Sequence, residues 1–284
     1  MNILKKAGYK PFREYYVNDM GRQVKILAEG GYQNAYVDEW KNSGGKDASE
    51  EIKFVVKKIK QTTERMGIKF DRWFYESELY EKKEVDKAMG FLKKKSLIYE
   101  KDGAVWFKST QFGDDKDRVL VKKDDKETYF LSDIAYLKNK FERGFDYLII
   151  FLGAEHHGYV SRLKAAAEAL GYGKDRVMPI IFQLVRLIEG GKELKMSKRT
   201  GVFVTIDELL DDIPLAVARF FFLTRSSDSH LNFDLDLAKE QSEKNPVYYI
   251  QYAYARICSI LRKSEARNPK SLPADAMHQT LQAG

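Results

Sequence analysis

Tyr147-Leu148-Ile149-Ile150-Phe151-Leu152, closed by Gly153, is a continuous apolar run of strand length. A run without polar alternation reads as a parallel strand buried on both faces. Helical spacing follows over 159–170, and a second apolar strand is expected over 177–187. Strand, helix and strand in this order predict an α/β fold with a parallel sheet, whose ligands lie at the carboxyl ends of the strands. Residues 153–158 therefore belong to a binding edge.

Working outward, residues 1–6 read as the last turn of a helix stopped by Gly8, and 12–17 as an aromatic-rich strand. Asn18-Asp19 resembles an N-cap opening a helix through Val24 and Leu27. Residues 30–46 read as irregular and polar. Asp47-Ala48-Ser49 opens a helix to about Arg65, with Ile52, Val55, Val56 and Ile59 near helical spacing. A strand over 70–74, a helix over 85–92 and a hairpin turning on Asp102-Gly103 follow. After Thr205 the pattern reads as purely helical, over 207–211, 214–223 and 246–263.

The chain has 284 residues, enough for a sizeable core, and its 44% apolar and 13% aromatic content belongs to a folded protein. No apolar run approaches the roughly 20 residues that span a bilayer, so no membrane association is expected. The opening residues lack a secretory pattern. One cysteine, Cys258, excludes an intrachain disulfide and a multi-cysteine zinc site, and with four histidines no structural metal is expected. A reducing, cytoplasmic setting is the default. A net charge of +7 suits a polyanionic partner, but solvated surface lysines account for it equally well.

The densest chemical signal is Lys195-Met196-Ser197-Lys198-Arg199-Thr200-Gly201, reached through Gly190-Gly191. Two ammonium groups three residues apart on a loop can both reach a triphosphate and offset charge developing on pyrophosphate. An exposed basic loop is the plain alternative.

This tetrapeptide resembles the second nucleotide signature of class I aminoacyl-tRNA synthetases, and its surroundings resemble the arginyl-tRNA synthetase family. The matching stretches are Arg13-Glu14-Tyr15-Tyr16-Val17-Asn18-Asp19 with Gly21 and Gln23, the block 112–120 with Thr128-Tyr129-Phe130 and Asp133-Ile134-Ala135-Tyr136, and 245–253. They run in order over almost the whole chain. The resemblance implies a Rossmann-like parallel sheet followed by an α-helical segment. It divides the chain into a partial catalytic domain over 1–205 with a connective insertion at about 78–127, a helical linker over 206–243, and the start of a helical anticodon-binding domain over 244–284. It implies ligation of arginine to its tRNA with ATP, accompanied by Mg2+ and without zinc, in a monomeric parent.

Carried over residue by residue, Lys195 and Lys198 are the expected catalytic groups. Gly153, His156, Gln183, Leu184, Val185, Lys195, Met196, Ser197 and Lys198 are the expected ATP contacts. Tyr129, Asp133, Glu76 and His156 are the expected arginine contacts. A planar cation wants a carboxylate that can bond it bidentately and an aromatic face beside it, which fits these residue types. A buried tyrosine, an N-cap aspartate and a surface glutamate are the alternatives. His230, Asn232 and Asp234 are expected to be structural. The stripe Tyr248, Tyr249, Tyr252, Tyr254 and Arg256 reads either as packing or as a surface for stacking on bases.

The family's first signature, a His-x-Gly-His tetrapeptide, is expected just upstream of Met1, so the isolated chain is expected to be inactive. The competing readings are a synthetase-derived module that binds tRNA or protein without catalysis, and a class I synthetase for another amino acid.

Overall fold

The computed structural model describes residues 1–21, 24, 35–45, 47–194 and 204–267. The lysine loop Lys195-Met196-Ser197-Lys198 lies outside them, as does most of the expected helix through Leu27, of which Gly21 and Val24 are described and helical. A short helix α1 (Asn2–Lys6) leads to strand β1 (Glu14–Val17). Helices α2 (Ala35–Asn42) and α3 (Ala48–Arg65) precede β2 (Arg72–Tyr75), which pairs with β1 in parallel. Helix α3 begins where its cap predicts: the Asp47 carboxylate accepts the amides of Ser49 and Glu50 at 2.7 and 3.1 Å.

Helix α2 lies in the stretch expected to be irregular. Its eight residues are too few to hold a helix alone, and packing supplies the stability. Val37 is buried, Trp40 stacks obliquely on Phe54 with ring centroids 5.3 Å apart, and Tyr36 Oη meets Thr62 Oγ1 at 2.7 Å.

Helices α4 (Ser77–Glu81) and α5 (Glu84–Lys94) lead into an antiparallel sheet of β3 (Ile98–Lys101), β4 (Ala104–Phe107) and β5 (Arg118–Val121). Asp102 and Gly103 turn the hairpin at φ +54° and +72°. Helix α6 (Tyr129–Glu142) then crosses the core. Strand β6 (Leu148–Gly153), helix α7 (Val160–Ala169) and strand β7 (Val177–Phe182) form the expected unit, with β6 and β7 parallel. Phe74, Leu92, Phe107, Leu131, Ile134 and Val177 are among the buried side chains of this first core.

Two expectations change here. Strand β6 is buried on one face, not two: Leu148 is covered, whereas Phe151 is 65% exposed and Ile149, Met178 and Phe182 share its open side. The apolar stretch 177–187 is also two strands. The chain bends at Gln183-Leu184, and β8 (Val185–Glu189) joins a different sheet with β9 (Lys192–Glu193).

The region after Thr205 is not purely helical. Between α8 (Ile206–Asp212) with α9 (Leu215–Phe222) and α10 (Leu235–Lys239) lies β10 (Leu231–Asp234), parallel to β8. Leu231 and Phe233 face inward and join Leu187, Leu209, Ile213 and Phe221 in a second core. Asp234 caps α10 through the Leu237 amide at 2.9 Å. The last described helix, α11 (Pro246–Arg267), seats Val247 in this core and leaves Tyr248, Tyr249, Tyr252 and Tyr254 exposed.

Candidate active site

Strands β1 and β2 run in register and end together, Val17 opposite Tyr75. Asn18 and Glu76 therefore leave the sheet side by side at its carboxyl edge, where parallel sheets bind ligands. The Glu76 amide donates to the Val17 carbonyl at 2.9 Å. Its carboxylate points inward and the residue is only 4% exposed. The alternative of a surface glutamate is thereby excluded.

Helix α6 supplies the facing wall. Phe130, Leu131, Ile134, Leu137 and Phe141 are buried and fix its orientation. Tyr129, Asp133, Tyr136 and Lys140, spaced four, three and four apart, then form a second stripe along the same helix. Tyr129 stands at the mouth and is 52% exposed. Asp133 lies one turn deeper and accepts a hydrogen bond from the Tyr159 hydroxyl.

The electrostatics of this recess are unusual. Burial pushes the Glu76 carboxyl up to about 7; Asp133 and Asp19 push in the same direction, and the hydroxyls of Ser132 and Tyr16 offset part of it. Burial also raises Asp133, against the opposing pull of the Tyr159 hydroxyl, Lys140 and His156. Tyr16 and Tyr159 are driven well above the ordinary phenol range, first by burial and then by these carboxylates. Lys140 lies 3.9 Å from the centre of the Tyr136 ring. Burial lowers it to about 8 despite the attraction of Glu14 and Asp133. Two carboxyl groups held close in a tyrosine-walled recess form a site whose charge is best completed by a planar cation.

The second group of expected residues lies on the edge of the other parallel pair. Gly153 ends β6 opposite Phe182, so Gln183 is its near neighbour, followed by exposed Leu184 and half-buried Val185. The Gln183 amide is already bonded to the Ser227 carbonyl at 2.9 Å, so it has no free N–H for an adenine ring. The exposed Glu155 carboxylate lies 2.5 Å from where a side chain at Gly153 would begin. His156 lies on the exposed turn Ala154–Tyr159, with Nε2 3.6 Å from Glu155 and its ring edge-on to Tyr159. Tyr159 thus touches both groups of expected residues.

Lys195, Met196, Ser197 and Lys198 lie outside the described residues. Both flanks of their loop are tied down: the Leu194 amide donates to the Leu187 carbonyl at 2.8 Å, and Thr205 and Glu208 form a reciprocal cap on α8. A cavity of about 360 Å3 between these flanks is lined by Leu194, Val204, Glu208, Asp211, Asp212 and Lys239 among others, and contains none of the expected site residues that are described.

Sequence reasoning missed Tyr159, Tyr16 and Lys140 as parts of the recess. The spacing of Tyr129, Asp133, Tyr136 and Lys140 carried a signal for the last of these. The contacts of Tyr16 and Tyr159 depend on long-range packing that no local pattern encodes.

Residues 33–219 match the family model described as tRNA synthetases class I (R), catalytic domain. An arginine–tRNA ligase of Bacillus licheniformis is 45% identical over 94% of this chain and 54% of its own length. One of Elusimicrobium minutum is 46% identical, again over 94% of this chain and 54% of its own. The chain thus spans about half the length of the curated relatives it matches. A crystal structure from Campylobacter jejuni assigned as an arginyl-tRNA synthetase has a TM-score of 0.81 at 31% identity, covering 98% of this chain and 70% of that one. The Thermus thermophilus arginyl-tRNA synthetase shares the fold, with a TM-score of 0.72 at 18% identity over 93% of this chain and 60% of that one. The α/β architecture, the paired parallel strands and these matches agree: the chain belongs to the arginine group of the class I tRNA synthetases, whose catalytic domain it matches over residues 33–219.

Proposed function

We propose that the full-length protein carrying this sequence ligates arginine to its tRNA with ATP. The arginine carboxylate attacks the α-phosphate of ATP, releasing pyrophosphate and forming arginyl-adenylate. A ribose hydroxyl at the tRNA terminus then takes the arginyl group and releases AMP. The observation that most supports arginine as substrate is that buried Glu76 and Asp133, bonded to Tyr159, face the same tyrosine-walled recess and act on each other electrostatically. A guanidinium group offers parallel N–H donors to carboxylates and a flat face to Tyr129, and neutralises two acids that burial disfavours in their charged forms.

Lys195 and Lys198 hold and neutralise the phosphates, Mg2+ arriving with the nucleotide. Gly153, His156, Leu184 and Val185 border the adenylate, and Gln183 contributes groups other than its engaged amide. The exposed tyrosines of α11 suit the opening of a tRNA-binding helical domain, through packing or base stacking.

Steady-state aminoacylation by the full-length protein tests the assignment. Asp133→Asn is expected to raise the arginine KM by roughly a hundredfold, the scale of losing a charged, hydrogen-bonded partner, with the ATP KM nearly unchanged. An unchanged arginine KM would overturn it.

A further inference from the structure

Glu76 occupies the N-cap position of α4 yet makes no capping bond with its own side chain. Residues there normally turn back to accept the first amides of the helix. The cap comes instead from the exit of β1: Asp19 accepts the Ser77 amide at 3.0 Å and the Ser77 hydroxyl at 2.6 Å. Asn18, with its amide nitrogen turned toward the acceptors, donates to Glu76 Oε2 at 3.0 Å and to the Met20 carbonyl at 2.7 Å. The sequence pattern of Asn18-Asp19 suggested the start of a helix through Val24. In the fold the aspartate also reaches across the sheet edge and caps α4.

We propose that Asn18 and Asp19 are positioning residues for Glu76: they relieve it of capping its own helix and hold its carboxylate in the recess, and so set how tightly the site takes a guanidinium group. This rests on the reading of the recess as the arginine pocket. Asn18 acts directly, by fixing one carboxylate oxygen. Asp19 acts through Ser77, by pinning the turn that carries Glu76. Its charge has a second effect. Glu76 is faced by Tyr16 and Asp19 from β1 and its exit, by Tyr80 from α4, and by Ser132 and Asp133 from α6. Among these Asp19 is a like charge that helps Glu76 keep a proton.

The test compares Glu76→Gln, Asp19→Ala, Asp19→Asn and Ser77→Ala in the full-length protein, by aminoacylation kinetics between pH 6 and 9. Asp19→Ala is expected to raise the arginine KM about tenfold while kcat and the ATP KM stay within about twofold, the scale of one charge-assisted hydrogen bond. Ser77→Ala, which removes only the hydroxyl bond, is expected to give a smaller rise in the same constant. Asp19→Asn keeps an acceptor for the Ser77 amide but removes the charge, so the acid limb of kcat/KM for arginine is expected to move to lower pH. A generally damaged fold would instead move the ATP KM and kcat together.

If Glu76→Gln leaves the arginine KM unchanged, the pocket reading fails and the proposal with it. If Glu76→Gln raises it while the Asp19 and Ser77 variants leave both the KM and the acid limb in place, the pocket stands and the positioning role is overturned. A rise in the ATP KM equal to that for arginine overturns it as well.

Discussion

The Tyr159 hydroxyl donates to Oδ2 of Asp133, joining the turn after β6 to the polar stripe of α6. This bond spans the boundary between the proposed nucleotide edge and the proposed cation recess. It also supports the ionised form of a carboxylate that burial would otherwise favour protonated. The Tyr159 ring has a second anchor, edge-on against Phe130 with centroids 6.0 Å apart.

Tyr159→Phe should therefore keep the ring packing and lose only the hydrogen bond. A hydrogen bond to a charged group contributes about 2 kcal/mol, so the arginine KM of the full-length protein should rise roughly thirtyfold with little change in thermal stability. Aminoacylation kinetics alongside a thermal melt decide it. An unaltered KM would mean that Asp133 is held by other contacts.

The Glu76 carboxyl, pushed up to about 7 by burial and by Asp133, should couple arginine binding to pH. A bidentate bond to guanidinium needs the ionised form, so affinity should increase as pH rises through 7, with a proton released below it. Titration calorimetry in buffers of different ionisation enthalpy measures that proton. The unliganded chain should respond in the opposite sense. Here the folded-state value lies above the ordinary 4.5, so the folded state binds the extra proton between 4.5 and about 7. Glu76 therefore contributes stability at low pH that is lost as pH rises through this window. Glu76→Gln should flatten both dependences.

The sequence carried the large features of this fold because they rest on local signals. The apolar run at Leu148, the Asp47 cap and the Asp102-Gly103 turn each specify their element with neighbouring residues alone. It misled where stabilisation comes from a distance. Helix α2 exists because Tyr36, Val37 and Trp40 find α3, and β10 because its two inward residues find β8. The same division runs through the candidate site. Tyr129 and Asp133 could be paired from their spacing on one helix, whereas the approach of Asn18 and Asp19 to Glu76 and Ser77 depends on the register of two strands 58 residues apart. Asp19 reads as a cap in the sequence, and in the fold it caps a helix that follows in the chain only after β2.

Lys198→Ala in the full-length protein should slow formation of the adenylate by about a hundredfold or more. In the proposed role the lost ammonium group acts on charge that develops as pyrophosphate leaves, so kcat should fall much more than arginine binding weakens. ATP–pyrophosphate exchange with the tRNA present measures this step. Unchanged exchange would remove Lys198 from the chemistry, and a defect confined to the arginine KM would move it to the substrate pocket.

The final prediction concerns stability at the join between the antiparallel sheet and α7. Arg118 Nε and Nη2 donate to the two oxygens of Asp114 at 2.7 and 2.8 Å, and Ser161 of α7 adds a third bond at 2.9 Å. The Asp114 side chain is fully covered. Burial alone would raise its pKa, but Arg118, Ser161 and Asp115 together hold it far below the ordinary carboxylate range. Such a pair is costly to break from one side, because a buried charge is left without its partner. Arg118→Met should therefore destabilise this chain by about 3 to 5 kcal/mol, read as a lower urea midpoint at neutral pH. Asp114→Asn added to Arg118→Met should recover part of the loss, since the orphaned charge is then gone. The sign with pH follows from the depressed value: the carboxylate contributes stability above its unfolded pKa near 3.8, which is lost as pH falls toward the folded value. In the Arg118→Met variant that acid-side loss should shrink. Equal midpoints for wild type and the single variant would show that the bonds from Ser161 and Asp115 are sufficient to hold Asp114 in place.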